Sequence, residues 1–205
     1  MYYRSYKYAI DWTTGTYALL VSWIVLSIAF GIRYLAHGWL DAFLWTAVAV
    51  GLGFVMHELA HRETAKAYGC FAEYKLWPLG LALALFLSVI TRGMFVFAAP
   101  GAVMFSCFAR GHRKFNPIVY RIPLLPEAAI AAAGPIANIV IGLIFNALYV
   151  LTLYPPFYMI SSINWFLALF NLLPLEPLDG SKVFRYHQGL WLALFSLSAV
   201  FTFLL

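Results

Sequence analysis

Charged residues are scarce in this sequence of 205 residues, with 13 Lys and Arg and 8 Asp and Glu, or 10% of the chain. A soluble globular domain carries about 25% charged residues, which cover its surface. The shortage excludes a soluble single domain, and a hydrophobic content of 64% excludes a disordered chain. Together with 19% aromatic residues, the long uncharged runs are typical of a polytopic membrane protein.

Cysteine is also nearly absent, with only Cys70 and Cys107. Two cysteines this far apart make neither a disulfide framework nor a cysteine-based zinc site, and we predict two small buried residues. The net charge of +5 is compatible with nucleic acid or anionic lipid as a partner. In so apolar a chain we assign the basic residues to the cytoplasmic side of a lipid bilayer and expect no nucleic-acid partner.

Uncharged runs long enough to cross a bilayer predict five membrane-spanning helices. They lie at 12–32, 42–56 and 188–205, and within 128–175, where Pro155-Pro156 divides the run into two spans.

The stretch 76–109 is ambiguous, because Arg92 divides it into two halves that are each short for a spanning helix. It can form one crossing, two short crossings or a re-entrant hairpin that turns at Thr91-Arg92-Gly93. With Arg4 and Lys7 taken as cytoplasmic, the hairpin leaves every basic residue except Arg33 and Arg92 on one side, which the positive-inside rule favours. The portion 94–103 is predicted to be a strand that ends in a Pro-Gly turn.

We therefore expect an all-α polytopic membrane protein. It has about five to six transmembrane helices and a re-entrant hairpin or short β segment after the second of them. Its N-terminus is expected in the cytoplasm.

The sharpest motif is His57-Glu58-x-x-His61, which directly follows an uncharged run. Residues four apart on a helix share a face, so both imidazoles can reach one Zn²⁺. Glu58 is near enough to take a proton from a metal-bound water. The motif could instead be the polar end of a helix that enters the cytoplasm. Three ionisable groups beside an apolar run are destabilising unless they have a role, so we predict a metal site with one zinc ion.

A catalytic zinc site usually has a third protein ligand. Most acidic residues lie at helix boundaries or in polar loops, and Glu63 points away from the histidine pair. Glu176 and Asp179 remain, in a segment where prolines and Gly180 interrupt the helix and let the backbone line a cavity. Asp179 could instead cap the following helix. The rival histidine ligands lie in or near basic polar loops and are expected to be exposed: His37, His112 and His187.

Three motifs in order resemble the site-2 protease family of intramembrane zinc metalloproteases. They are HELAH at 57–61, AGPIAN at 133–138 and NLLPLEPLDG at 171–180, and the matched region spans 54–182. HExxH alone is shared with many soluble metalloproteases, whereas the combination is much more specific. The resemblance implies that His57, His61 and Asp179 bind Zn²⁺, that Glu58 is the catalytic acid/base, and that Asn138 holds the substrate or its oxyanion.

The sequence has no internal repeat and no polar stretch long enough for a soluble domain, so we predict a single membrane-embedded domain over 1–205. Charge placement predicts that its site opens to the cytoplasm, and the resemblance implies that the domain is a metalloprotease. It would hydrolyse peptide bonds within or near a transmembrane segment of a substrate protein. Asn138 has a packing alternative, since Gly134 and Gly142 stand at small-residue spacing around it.

The rival function is a non-proteolytic metal-binding membrane protein, either a transporter or a pseudo-protease that binds transmembrane helices. A transporter carries ionisable residues along several spans. Here these residues cluster at one depth, which favours an enzyme.

Overall fold

A computed structural model describes residues 13–107 and 124–204, and the structural statements below refer to these two ranges. The predicted cytoplasmic N-terminus with Arg4 and Lys7 lies outside the described residues, as does His112.

Apolar helices make up most of the described chain. Helix α2 continues through a π-helical segment into α3 without a break. The helices are α1 (Gly15–Ala36), α2 (Leu40–Val50), the π-helical segment (Gly51–Val55), α3 (Met56–Ala67), α4 (Pro78–Ile90), α5 (Leu124–Thr152), α6 (Pro155–Asn171), α7 (Asp179–Tyr186) and α8 (Gln188–Leu204). Helix α6 begins at the Pro155-Pro156 pair that the sequence indicates as a boundary, because proline fits the first turn of a helix.

Three helices are long and apolar enough to cross a membrane: Gly15–Ala36, Leu40–Ala67 and Pro126–Thr152. Helices α6 and α8 have 17 residues each, which corresponds to about 26 Å at 1.5 Å per residue. That length is slightly less than a hydrocarbon core of about 30 Å. The predicted five to six spanning helices are therefore not confirmed.

A small antiparallel sheet consists of β1 (Cys70–Leu76) and β2 (Gly101–Cys107). Leu76 pairs with Gly101, and the N–H of Trp77 donates to the carbonyl of Pro100 at 2.7 Å. The chain between the strands therefore leaves and returns at the same end of the sheet, as a re-entrant hairpin or two short crossings would, but not a single crossing. The turn lies at the predicted position, with positive φ values of 55° at Arg92 and 79° at Gly93.

The sequence-based limits of the second strand are wrong. We predict a strand over 94–103, whereas β2 begins only at Gly101. The reason is that β1 ends at Leu76, so 94–100 has no strand to pair with in the described sheet.

The prediction for the cysteines also needs correction. Cys70 is buried, as expected, but it is disulfide-bonded. The residue opposite it in the strand register is Cys107. Antiparallel pairing thus brings together two positions that lie far apart in the sequence.

Helix α3 packs against α5 and β1, and α5 packs in turn against α6 and α7. Close approach of α5 and α6 depends on Gly142, since a Cβ at that position would meet the indole ring of Trp165 at 2.9 Å. This packing brings α3, α5 and α7 around one point in the interior.

Candidate metal centre

Two histidines of α3 and an aspartate at the start of α7 converge on one point. Nε2 of His57 lies 3.0 Å from Nε2 of His61, and Oδ2 of Asp179 lies 3.1 Å and 3.0 Å from these two nitrogens. His57 and His61 are 4% and 6% exposed, and the Asp179 side chain is 15% exposed. The three donor atoms thus form a nearly equilateral, almost buried triangle.

This donor set fits zinc. Two imidazoles and one carboxylate form a common set of protein ligands in catalytic zinc sites, which leave a fourth position open. Ligands at about 2.0–2.1 Å from a tetrahedral ion lie about 3.3 Å apart, close to the edges of the observed triangle. Gly134 of α5 provides the space, because a Cβ there would collide with Nε2 of both His57 and His61.

The second nitrogen of each imidazole meets an acceptor. Nδ1 of His57 lies 2.6 Å from Oδ1 of Asn138, and Nδ1 of His61 lies 2.7 Å from the carbonyl oxygen of Ile130. A carbonyl accepts only, so each Nδ1 carries the proton and each Nε2 keeps its lone pair for a metal.

The orientation of the Asn138 amide is defined by its own donors. Its Nδ2 donates to the carbonyl of Gly53 at 2.9 Å and to Oδ1 of Asn164 at 3.0 Å. Gly53 belongs to the π-helical segment, and a Cβ there would clash with Leu167 of α6. The oxygen of Asn138 therefore points to His57, and its nitrogen is fully used.

The structure brings Asp179, and not Glu176, to the histidines. Glu176 is exposed and pairs with Arg185 at 2.7 Å. Asp179 is the first residue of α7, whose N-cap is Leu178, and no side chain caps that helix. Burial raises the pKa of the Asp179 carboxyl, whereas His61 and His57, when they carry a proton on Nε2, lower this pKa below its usual range. A carboxylate ligand must be ionised to bind a metal, and the ordinary pKa of Asp, about 3.9, already meets this condition at neutral pH.

The rival ligands lie elsewhere. His37 stacks on Trp39 with ring centroids 5.0 Å apart, and Nδ1 of His187 accepts from the backbone N–H of Leu190. Glu63 accepts from two cations of its own helix. Glu73, which the sequence indicates in a polar loop, instead belongs to β1.

Glu58 and a cavity complete the site. Glu58 is 7% exposed, and its Oε2 is buried without a hydrogen-bond partner among the described residues. A cavity of about 370 Å³ is lined by Glu58, by the three converging residues and, along one wall, by residues 101–105 of β2. The arrangement can hold a divalent metal beside a carboxylate and an open space.

Four of the five predicted site residues line the cavity, and one does not. His57, Glu58, His61 and Asp179 line the cavity. Asn138, which the resemblance implies as a substrate contact, is 0% exposed and lies behind His57.

The sequence analysis did not identify three groups of the site. They are the carbonyl of Ile130, which contacts His61, the side chain of Asn164, which contacts Asn138, and Lys182, which lines the cavity. Only Lys182 leaves a signal in the sequence, since it lies three residues after Asp179 and therefore on the same helix face.

Comparison with known proteins finds relatives in one archaeon, Methanocaldococcus jannaschii. One of its proteins, provisionally named a zinc metalloprotease, is 36% identical to this chain over 176 residues, which cover 82% of each chain. A second, named a zinc metalloprotease, is 29% identical over 153 residues. That match covers 72% of this chain, which spans about a third (34%) of the second relative. No protein-family model and no solved structure matches.

Proposed function

Because this chain belongs to the zinc metalloprotease family of its archaeal relative, we propose that it is an intramembrane protease of the site-2 type. It hydrolyses peptide bonds within or near transmembrane segments of substrate proteins. Zn²⁺ is held by His57, His61 and Asp179, and Glu58 is the catalytic acid/base.

One observation carries the proposal. Three donor atoms of a zinc-type set lie 3.0–3.1 Å apart, and the carboxylate of Glu58 lines the same cavity. Oε2 of Glu58 is buried without a hydrogen-bond partner in the part of the chain that the structure describes, which supports a functional role for this carboxylate. A buried polar atom without a hydrogen bond lowers the stability of the fold by about 1–3 kcal/mol. A role of Glu58 in proton transfer explains why the carboxylate lies there.

Glu58 is the residue that moves protons. A zinc ion held by His57, His61 and Asp179 would supply polarisation of the scissile carbonyl and would lower the pKa of a water molecule toward about 7. Glu58 accepts a proton from the attacking water molecule and delivers it to the leaving amine. The apolar surroundings of the carboxylate strengthen its interactions with charges in the cavity.

Asn138 acts through His57. Both hydrogens of its amide nitrogen already have acceptors, so it has no N–H left for the substrate. Its oxygen keeps the proton of His57 on Nδ1 and the lone pair on Nε2. We therefore assign Asn138 as a positioning residue in place of the substrate contact that the resemblance implies.

Strand β2 is suited to hold an extended substrate. Its residues 101–105 line the cavity, and β1 occupies one of its edges. The other edge has no partner strand in the described sheet. A substrate helix must unwind before hydrolysis, and the unwound segment can pair with this edge by strand addition.

A membrane location is supported by the helix that carries the site. The helix Leu40–Ala67 contains the HExxH motif and is apolar enough to span a bilayer. Lys75 and Lys182 line the cavity, and Lys66 lies on the last turn of α3. This collection of cations supports a cavity that opens toward the cytoplasm, in one domain embedded in the bilayer.

The test compares the wild-type protein with Glu58→Gln and, as a control on the same helix, Glu63→Gln. We expect wild type and Glu63→Gln to bind one zinc per chain and to cleave a model transmembrane peptide in detergent or liposomes. Glu58→Gln should bind zinc but lose cleavage by at least a hundredfold. Equal cleavage by wild type and Glu58→Gln overturns the proposal. Zinc bound without cleavage by the wild type would favour the non-proteolytic metal-binding protein.

A further inference from the structure

The metal cavity contains polar groups that the proposed ligands and Glu58 leave unassigned: Lys75, Asn171 and Lys182. Lys75 belongs to β1 and is exposed. The side-chain nitrogen of Asn171 donates to the carbonyl of Leu167 at 3.0 Å, one turn back on α6. Lys182 is the cation whose position calls for an explanation.

Lys182 lies on α7 one turn after Asp179, so both side chains project from the same face of this helix. It is half-buried, and it lines the same cavity as Glu58 and His61. Among the described residues, no carboxylate forms an ion pair with it. The exposed carboxylate of the same segment, Glu176, pairs with Arg185 instead.

A half-buried cation that forms no ion pair among the described residues favours negative charge that develops beside it. During peptide hydrolysis, negative charge develops on the carbonyl oxygen of the scissile bond, and a donor that is already oriented toward this oxygen speeds the reaction. Asn138 has no free N–H for this purpose. Two lysines line the cavity, and both offer a charged donor. Lys75 is exposed, whereas Lys182 is half-buried and lies on the helix that begins with Asp179.

We propose that Lys182 donates a hydrogen bond from Nζ to the carbonyl oxygen of the scissile peptide bond and stabilises the negative charge that forms there. This inference rests on the proposed function. Lys182 keeps its proton throughout. The proton that leaves the water passes through Glu58 to the leaving amine, so the reaction remains hydrolysis of one peptide bond by one water molecule.

The experiment compares Lys182→Met, Lys182→Arg and a control, Arg185→Met, which removes an exposed cation from the same helix. All three variants should bind one zinc per chain. For Lys182→Met we expect kcat on a transmembrane peptide to fall about 10²–10³-fold with little change in KM. Lys182→Arg should recover part of the loss, and Arg185→Met should stay within about threefold of wild type.

A second readout does not depend on turnover. A phosphinic pseudopeptide carries a tetrahedral anion in place of the scissile bond, and its affinity for the zinc-loaded protein can be measured by calorimetry. We expect Lys182→Met to weaken this binding by about the same factor as kcat, while Arg185→Met leaves it unchanged.

The two proposals fail in different ways. Absence of cleavage by the wild type overturns the proteolytic function, whatever the variants do. Unchanged affinity of Lys182→Met for the pseudopeptide overturns the role of Lys182, as does unchanged kcat in an active enzyme. Loss of zinc from Lys182→Met together with normal zinc in Lys182→Arg would also overturn it, because the lysine would then support the metal site and not the substrate.

Discussion

Nδ1 of His57 lies 2.6 Å from Oδ1 of Asn138, a residue 81 positions further along the chain. This contact joins α3 to α5 and selects the tautomer in which Nε2 of His57 is free to bind a metal. The amide nitrogen of Asn138 donates hydrogen bonds to the carbonyl of Gly53 and to Oδ1 of Asn164. One buried side chain thus links the proposed metal ligand to the π-helical segment and to α6.

Removing the Asn138 amide should therefore weaken metal binding. We expect Asn138→Leu, which keeps the side-chain size, to lower zinc affinity about 10–100-fold, because the imidazole of His57 loses the group that orients it. Competition with a chelator of known affinity measures the change. The control is Asn146→Ala, further along α5 and outside the metal site. Wild-type zinc affinity in Asn138→Leu would contradict the positioning role.

Gly134 should be required for the metal ligands to keep their positions. In Gly134→Ala the new Cβ would occupy space held by Nε2 of both His57 and His61. We expect zinc stoichiometry to fall well below one per chain under conditions that saturate wild type, as measured by metal analysis after gel filtration. In the control Gly189→Ala, the nearest atoms to the Cβ are those of His187 at 3.9 Å, an ordinary contact. Full zinc occupancy in Gly134→Ala would show that His57 and His61 move to accommodate the Cβ, and that Gly134 is not required.

Removal of the metal should lower stability, since an ion bound only by the folded state stabilises it. At a zinc concentration one hundred times Kd, this contribution is about 2.7 kcal/mol. We expect a chelator to lower the unfolding temperature of wild type and added zinc to restore it.

The same measurement distinguishes Asp179 from Glu176, the two carboxylates that the sequence leaves as alternative third ligands. Asp179→Ala should lose most of the zinc-dependent shift in unfolding temperature, because one of three ligands is gone. Glu176→Gln should keep the whole shift, since its carboxylate pairs with Arg185 at the surface. A zinc response lost in Glu176→Gln and retained in Asp179→Ala would reverse the assignment.

The predictions that depend on local geometry agree best with the structure. His57 and His61 share a helix face because four residues make about one turn, and no tertiary information is needed for that statement. The boundary at Pro155-Pro156 and the turn at Thr91-Arg92-Gly93 follow equally from the backbone preferences of proline and glycine.

The predictions that depend on distant contacts are incomplete. The limits of β2 depend on β1, its partner strand, and residues 94–103 alone cannot show where that partner ends. The disulfide bond of Cys70 has no signal in the sequence around Cys70. The roles of Asn164 and of the Ile130 carbonyl depend on helix packing and have no signature in the local sequence.

The shortage of charge and the HExxH spacing are properties of the sequence by itself. They determined that long apolar helices form and that two imidazoles and a carboxylate occupy one of them. Tertiary structure decided the rest: Asp179 and not Glu176 reaches the histidines, Asn138 lies behind His57, and Lys182 lines the cavity. The physical reason is that helix periodicity relates residues within one turn, whereas these contacts depend on how α3, α5 and α7 pack around a glycine that leaves room for the ligands.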